Sequence, residues 1–231
     1  METSLEAARN WSPSIGRVVL VWHRANTEAE LDAFLASSVR WAECDARADR
    51  AGTARVSHEP LGGVGGAMEL NGWLEVVRAA GRSAKIDLKE DGSVLDQALE
   101  SVARLGWSDD ELWFNAAVEI PGRDGFERIS AAHPRARVSC PLDTLASYLL
   151  LTPQEAFAVV DALRAWGINW LSFGAEIPRL AELVAATRER GWPINIWDVP
   201  SVETFRTALT FVPEAITADL GSISPERARP G

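Results

Sequence analysis

Nine short apolar runs, set at near-regular intervals, constrain this chain more than any other feature. They lie at 17–23 (RVVLVWH), 40–46 (RWAECDA), 54–60 (ARVSHEP), 83–89 (SAKIDLK), 111–117 (ELWFNAA), 136–142 (ARVSCPL), 169–175 (NWLSFGA), 193–199 (PINIWDV) and 215–220 (AITADL). Helical patterns fill most of the gaps, at 27–37, 69–81, 93–106, 153–167, 177–191 and 201–209. Thr27 and Ser93 open two of them as capping residues, and Gly81, Gly106, Gly167 and Gly191 close four. Strand and helix alternating at roughly 23 to 33 residues per unit require right-handed crossovers and a parallel sheet. Closing that sheet into a (β/α)8 barrel uses eight strands, so one of the nine runs is peripheral or is not a strand. An open doubly wound sheet would normally carry a Gly-rich phosphate turn after its first strand, where this chain reads WHRANT. The expectation is therefore an α/β protein built on a closed barrel. Only RADRAG and its neighbours separate the second run from the third, too few residues for a crossover helix, so the helix after strand 2 is expected to be missing. With no linker-like tract and no longer repeat, a single domain over 1–231 is expected, its core at about 15–221.

Charge and composition narrow the partners. The net charge of -10 disfavours bulk nucleic acid, whose phosphates are held by clustered Lys and Arg, but leaves room for one small anion held by local positive charge or a bound cation. No stretch approaches the ~18 apolar residues of a membrane span. The N-terminal METSLEAARNWSPS lacks the basic start and apolar segment of a secretory signal, so a cytoplasmic location is expected. Cys44 and Cys140 lie inside strand-like runs and are read as reduced packing residues. Most of the ten tryptophans must serve as core or pocket wall. His133, in SAAHPRA before a turn, is expected at the surface.

The candidate chemistry lies where the runs end. Active-site groups of a barrel come from the C-terminal ends of its strands, and side chains alternate between lumen and helix layer. Glu43 and Asp45 then share one face, as do Lys85, Asp87 and Lys89, Trp113 and Asn115, and Asn195 and Trp197. Two of only three histidines, His23 and His58, end the first and third runs on either side of those carboxylates. Buried charges on this scale must compensate one another or hold something. Glu43, Asp45 and Asp87 are hard oxygen donors suited to Mg2+ or Ca2+. His23 and His58 suit a general acid and base, and Lys89, with Lys85 as second candidate, suits an anion in the transition state. Together they fit metal-assisted displacement at phosphorus. Arg24 either positions a phosphate or pairs with a carboxylate, and Asn115 is a lumen hydrogen-bonder. LGGVGGA at 61–67 lacks the Gly-Lys-Ser/Thr ending of a nucleotide loop and is read as a flexible active-site loop.

In this order, WHRANT, AECDA, RVSHEP, KIDLK, WFNA and INIW resemble the phosphatidylinositol phospholipase-C-like phosphodiesterase superfamily, which includes glycerophosphodiester phosphodiesterases and the spider-venom phospholipase D toxins. The resemblance covers about 17–199 and is greatest to the FAM151 or menorin-like branch. It implies a TIM barrel without the usual helix after strand 2. It further implies His23 and His58 as the catalytic pair, Glu43, Asp45 and Asp87 as metal ligands, Lys89 as a phosphate contact and Trp197 as pocket wall. A cyclic phosphate product is also implied for some members. The chain departs from the glycerophosphodiesterase pattern at Ala25, Glu59 and Asp87, where that group has Gly, Asp and Glu, so the substrate is left open as a small phosphodiester. Asp219, in ITADL, resembles a final-strand acid of undetermined role. Two other classes stay open: a non-catalytic ligand-binding barrel in which the carboxylates pair with Lys85 and Lys89, and a metal-dependent lyase or aldolase acting on a carbonyl substrate.

Overall fold

The computed structural model describes residues 18–62 and 67–223. Each of the nine runs forms a strand: β1 (Val19–Trp22), β2 (Trp41–Ala48), β3 (Ala54–Val56), β4 (Ser83–Leu88), β5 (Leu112–Ala116), β6 (Arg137–Pro141), β7 (Trp170–Gly174), β8 (Ile194–Val199) and β9 (Ala215–Ala218). Eight run parallel in the order β1-β9-β8-β7-β6-β5-β4-β2, and the β1–β2 pairing closes them into a barrel. The peripheral run is β3, which pairs antiparallel with the far end of β2, Ala46 opposite Val56 and Ala48 opposite Ala54.

The short gap between β2 and β3 holds a tight turn in place of a helix. Asp49 Oδ1 accepts the N–H groups of Ala51 at 2.9 Å and Thr53 at 3.0 Å, Gly52 takes a φ of +83°, and Arg55 pairs with the same carboxylate. Because β3 stands outside the barrel, the crossover to the next barrel strand does contain a helix, which follows β3.

The helices are α1 (Glu28–Leu35), α2 (Leu70–Ala79), α3 (Ser93–Leu105), α4 (Gly122–Ala132), α5 (Ala146–Leu151), α6 (Pro153–Ala162), α7 (Leu180–Glu189), α8 (Val202–Thr210) and α9 (Leu220–Ile223). Thr27 and Glu30 form a capping box on α1, satisfying orphan donors of its first turn. Neither α4 nor α5 was foreseen in the sequence pattern. In α4 two glycines interrupt GRDGFERISAA, and its large apolar contribution to the core is only Phe126 and Ile129. The six residues of α5 are too few to show a helical period.

Alternation along the strands divides the apolar interior in two. Cys44, Ile86, Leu88, Phe114 and Ile196 face the helices and join the main core, and both free cysteines are buried there. Burial pushes the Cys140 thiol up to about 12, so it stays protonated. Inside the barrel, Trp41, Trp113 and Trp170 pack with Val21 and Ala215 near the N-terminal ends of the strands. The Arg137 guanidinium lies 4.5, 5.3 and 5.0 Å from those three ring centroids, a cation–π arrangement that fills the barrel's lower end. His133 departs from its expected surface position. It is buried against Phe114, with ring centroids 5.8 Å apart, because it ends α4 and turns its Nδ1 to Asp109 at 2.9 Å.

Candidate functional site

Strand register brings the carboxylates together. On β2 and β4, Glu43 stands opposite Lys85 and Asp45 opposite Asp87, and on β5 Asn115 stands opposite Asp87. One oxygen each of Glu43, Asp45 and Asp87 lie within 4.8 Å of one another. Three carboxylates so close repel, and the surroundings differentiate them. Burial, then Asp45, raises the pKa of Glu43. Burial also works against ionisation of Asp45, but the Lys89 ammonium outweighs it and holds that pKa below the ordinary value. Lys89 is the shared counter-ion, its Nζ 2.9 Å from Asp45 Oδ1 and 2.6 Å from Asp87 Oδ2. Although burial opposes it, the pair Asp87 and Asp45 keeps this ammonium charged.

Each carboxylate is also held from a second direction. Asn26 Nδ2 donates to Asp45 Oδ2 at 2.6 Å while its Oδ1 accepts the Asp45 N–H at 3.0 Å. The Arg24 N–H donates to Glu43 Oε2 at 2.8 Å from a residue with φ +54°. Asn115 Nδ2 donates to Asp87 Oδ1 at 2.8 Å. Behind it runs a chain in which Trp113 Nε1 donates to Ser139 Oγ at 2.7 Å and Ser139 Oγ donates to Asn115 Oδ1 at 2.6 Å. That chain fixes the Asn115 amide with its NH2 toward Asp87. The donor set, three oxygens oriented by second partners, fits a hard divalent cation.

His23 directly follows β1, is buried, and places Nδ1 2.6 Å from Asp219 Oδ1. Burial pulls its pKa down, yet Glu43 and Asp219 prevail and raise it, favouring imidazolium. A proton on Nδ1 satisfies Asp219 and leaves Nε2 for the opposite side of the ring. His58 lies beyond β3 with its side chain 39% exposed. Arg24 Nη2 approaches its Nε2 at 3.0 Å, and Glu59 Oε1 lies 2.8 Å from its Nδ1.

Next to the carboxylates opens a cleft of about 220 Å3. His23, Glu43, Lys85, Asp87, Lys89, Asn115 and Trp197 line it, whereas Arg24, Asp45 and His58 do not. The structure thus gathers most of the sequence candidates around one opening and sets His58 with Arg24 at its margin. Lys85 forms the floor: its Nζ donates to Thr217 Oγ1 at 3.1 Å and lies 5.0 Å over Trp113, and burial lowers its pKa although Glu43 and Asp87 pull the other way. Of the Gly-rich stretch, residues 63–66 lie outside the described residues.

Sequence reasoning missed three contributors. Asn26 takes part only because β1 and β2 are neighbours, which no local pattern announces. Asp219 was singled out without a role, and its contact with His23 spans the closure of the barrel. Arg47 lines the cleft and is held by the His58 carbonyl at 2.8 Å and by Glu90 at 3.1 Å; it lies one residue past the strand-like run.

No protein-family model and no curated protein sequence matches the chain. Solved structures do. A phosphodiesterase from Oleispira antarctica, in complex with the product sn-glycerol-3-phosphate, superposes with a TM-score of 0.69 at 13% identity, covering 87% of this chain and 92% of that one. Glycerophosphodiester phosphodiesterases from Agrobacterium tumefaciens (TM-score 0.64, 18% identity, 87% and 96% covered) and Parabacteroides distasonis (0.65, 14%, 88% and 93%) are similarly related. These likenesses establish the barrel fold of the glycerophosphodiester phosphodiesterases. Among the described residues, no helix is long and apolar enough to cross a membrane.

Proposed function

We propose that this chain is a Mg2+- or Ca2+-dependent phosphodiesterase. The carrying observation is the juxtaposition of Glu43, Asp45 and Asp87, within 4.8 Å of one another, with His23 on the wall of one cleft. Those three carboxylates would hold the cation, and a bound divalent ion supplies Lewis acidity to a phosphoryl oxygen. The chain's own residues do the rest. Lys89 and Arg47 bring positive charge to a phosphate in an otherwise acidic protein. Asp219 keeps the His23 ring oriented and stabilises its protonated form, so Nε2 can exchange a proton at the phosphorus-bound oxygens. His58, held by Arg24 and Glu59, takes the complementary role. One histidine accepts the proton of the attacking water or substrate hydroxyl as its oxygen bonds to phosphorus. The other donates a proton to the departing alkoxide as its P–O bond breaks, giving an alcohol and a phosphate monoester or cyclic phosphate.

The folds of the structural neighbours and the ordered sequence motifs support this reading, and the motifs alone support placement near the menorin-like branch. The non-catalytic barrel draws its support from Lys89, which already neutralises Asp45 and Asp87. 31P NMR of a phosphodiester panel separates the two. Conversion that needs Mg2+ or Ca2+, stops in chelator and is lost in His23→Ala supports the phosphodiesterase; an inert panel with metal demonstrably bound refutes it.

A further inference from the structure

The wall of the cleft has two chemically distinct halves. His23, Glu43, Asp87 and Lys89, from β1, β2 and β4 and the residues that directly follow β1 and β4, make one half polar and charged. Ala117, Ile120, Pro141 and Trp197 make the other half apolar, and they come from the end of β5 and its following loop, from β6 and from β8. The order of strands around the barrel sets Trp197 of β8 across from the carboxylates, while Ala117, Ile120 and Pro141 continue round the rim from β4 through β5 to β6. All four are half-buried, so they expose apolar surface at the opening and are not sealed into the core. The Ile120 N–H donates to the Ala117 carbonyl at 2.9 Å, a turn that brings the loop back toward the cleft.

Beneath this apolar half several polar groups are engaged with one another. Asn115 gives its NH2 to Asp87 and its carbonyl to Ser139. Thr217 Oγ1 accepts from Lys85 and donates to Asn195 Oδ1 at 3.0 Å, while Ser172 Oγ accepts from Asn195 at 3.3 Å. Trp197 buries its indole N–H near the Asp143 carboxyl. The side chains of Ala117, Ile120 and Pro141 offer glycerol hydroxyls no hydrogen-bond partner, a net cost that an apolar group avoids.

We propose, on the premise that this cleft cleaves phosphodiesters, that the ester group facing Ala117, Ile120, Pro141 and Trp197 is compact and apolar, a short alkyl or aryl ester and not a polyol or charged head group. The volume of about 220 Å3 limits its size, and Trp197 offers a flat face for an aryl ring.

Binding of product-like monoesters tests it without relying on turnover. Wild-type protein in Mg2+ is titrated by calorimetry with inorganic phosphate, butyl phosphate, phenyl phosphate, glycerol 3-phosphate and phosphocholine. Butyl and phenyl phosphate bind at least ~10-fold more tightly than the other two esters, as expected for several buried methylenes or a ring. Ile120→Asn reduces that preference to below ~3-fold while inorganic phosphate affinity stays unchanged, since only the apolar contact is altered. Glycerol 3-phosphate or phosphocholine binding as tightly as butyl phosphate overturns the proposal and leaves the phosphodiesterase reading intact. So does an unaltered preference in both Ile120→Asn and Trp197→Ala. Failure of inorganic phosphate and all four esters to bind overturns the phosphodiesterase reading, and the proposal with it.

Discussion

Replacing Lys89 by methionine removes the ammonium that Asp45 and Asp87 share while keeping most of the side chain's length. Asp45 is 1% exposed, Asp87 13% and Lys89 23%, so two carboxylates and the neighbouring Glu43 would remain largely out of water with no counter-ion at that point. Removing one partner of a buried pair costs roughly 3–5 kcal/mol, and the partial exposure of Lys89 places this case near the low end, about 3 kcal/mol. For a domain of this size each kcal/mol moves Tm by ~2–4 °C, so Lys89→Met should melt ~6–12 °C below wild type in chelator. A divalent cation at the same carboxylates restores the missing charge. The ion stabilises both proteins, so the deficit shrinks only by the difference in their affinities. A Kd at least ~10-fold lower in the variant, where no lysine competes for the carboxylates, recovers about 1.4 kcal/mol or more, roughly half the deficit. Calorimetric melting in EDTA and in saturating Mg2+ therefore shows a deficit that shrinks by roughly half or more when metal is present. A deficit equal in both conditions, or none in either, refutes the claim that Lys89 and the metal serve the same carboxylates.

Asp219→Asn removes one of the two carboxylates that keep the His23 pKa high, so kcat falls by ~10²-fold or more and the pH-profile limb governed by His23 moves to lower pH; an unmoved limb contradicts the pairing. Ser139→Ala breaks the chain that orients Asn115 toward Asp87 and weakens Mg2+ binding about 10-fold, with the fold intact by circular dichroism. Asp109 is held below its ordinary pKa because its hydrogen bonds from His133 and the Arg135 N–H outweigh burial. A lowered folded pKa means stability present above the unfolded value, about pH 4, and lost as pH falls through the folded one, so the Tm difference between wild type and Asp109→Asn is full at pH 6 and shrinks steadily as the pH is taken below about 4.

The barrel was legible because each strand repeats the same signal: an apolar run whose polar residues share one face and crowd its C-terminal end. Glu43, Asp45 and Asp87 were found this way, since side-chain alternation along a strand needs no knowledge of its neighbours. Contacts that depend on closure were not legible. His23 meets Asp219 across 196 residues because β9 returns to lie beside β1, and Lys85 on β4 meets Thr217 on β9 across 132 through the inside of the closed barrel. His133 was misjudged for a related reason, since its burial comes from Phe114 on β5 and Asp109 before that strand, neither of which its own SAAHPRA segment announces. The third run, RVSHEP, has strand-like composition, but the tight turn after β2 leaves no room for a crossover, so it folds back antiparallel and cannot be a barrel strand. It became a hairpin partner of β2 that carries His58 to the margin of the site.

The account rests on Glu43, Asp45 and Asp87 holding a divalent cation beside His23. Calorimetric titration of Mg2+ and Ca2+ into metal-stripped protein, wild type against Asp45→Asn, tests this most directly. The account predicts saturable binding of one ion in wild type that the variant loses. Heats indistinguishable from dilution in both proteins would contradict it and leave the carboxylates as partners of Lys89 alone.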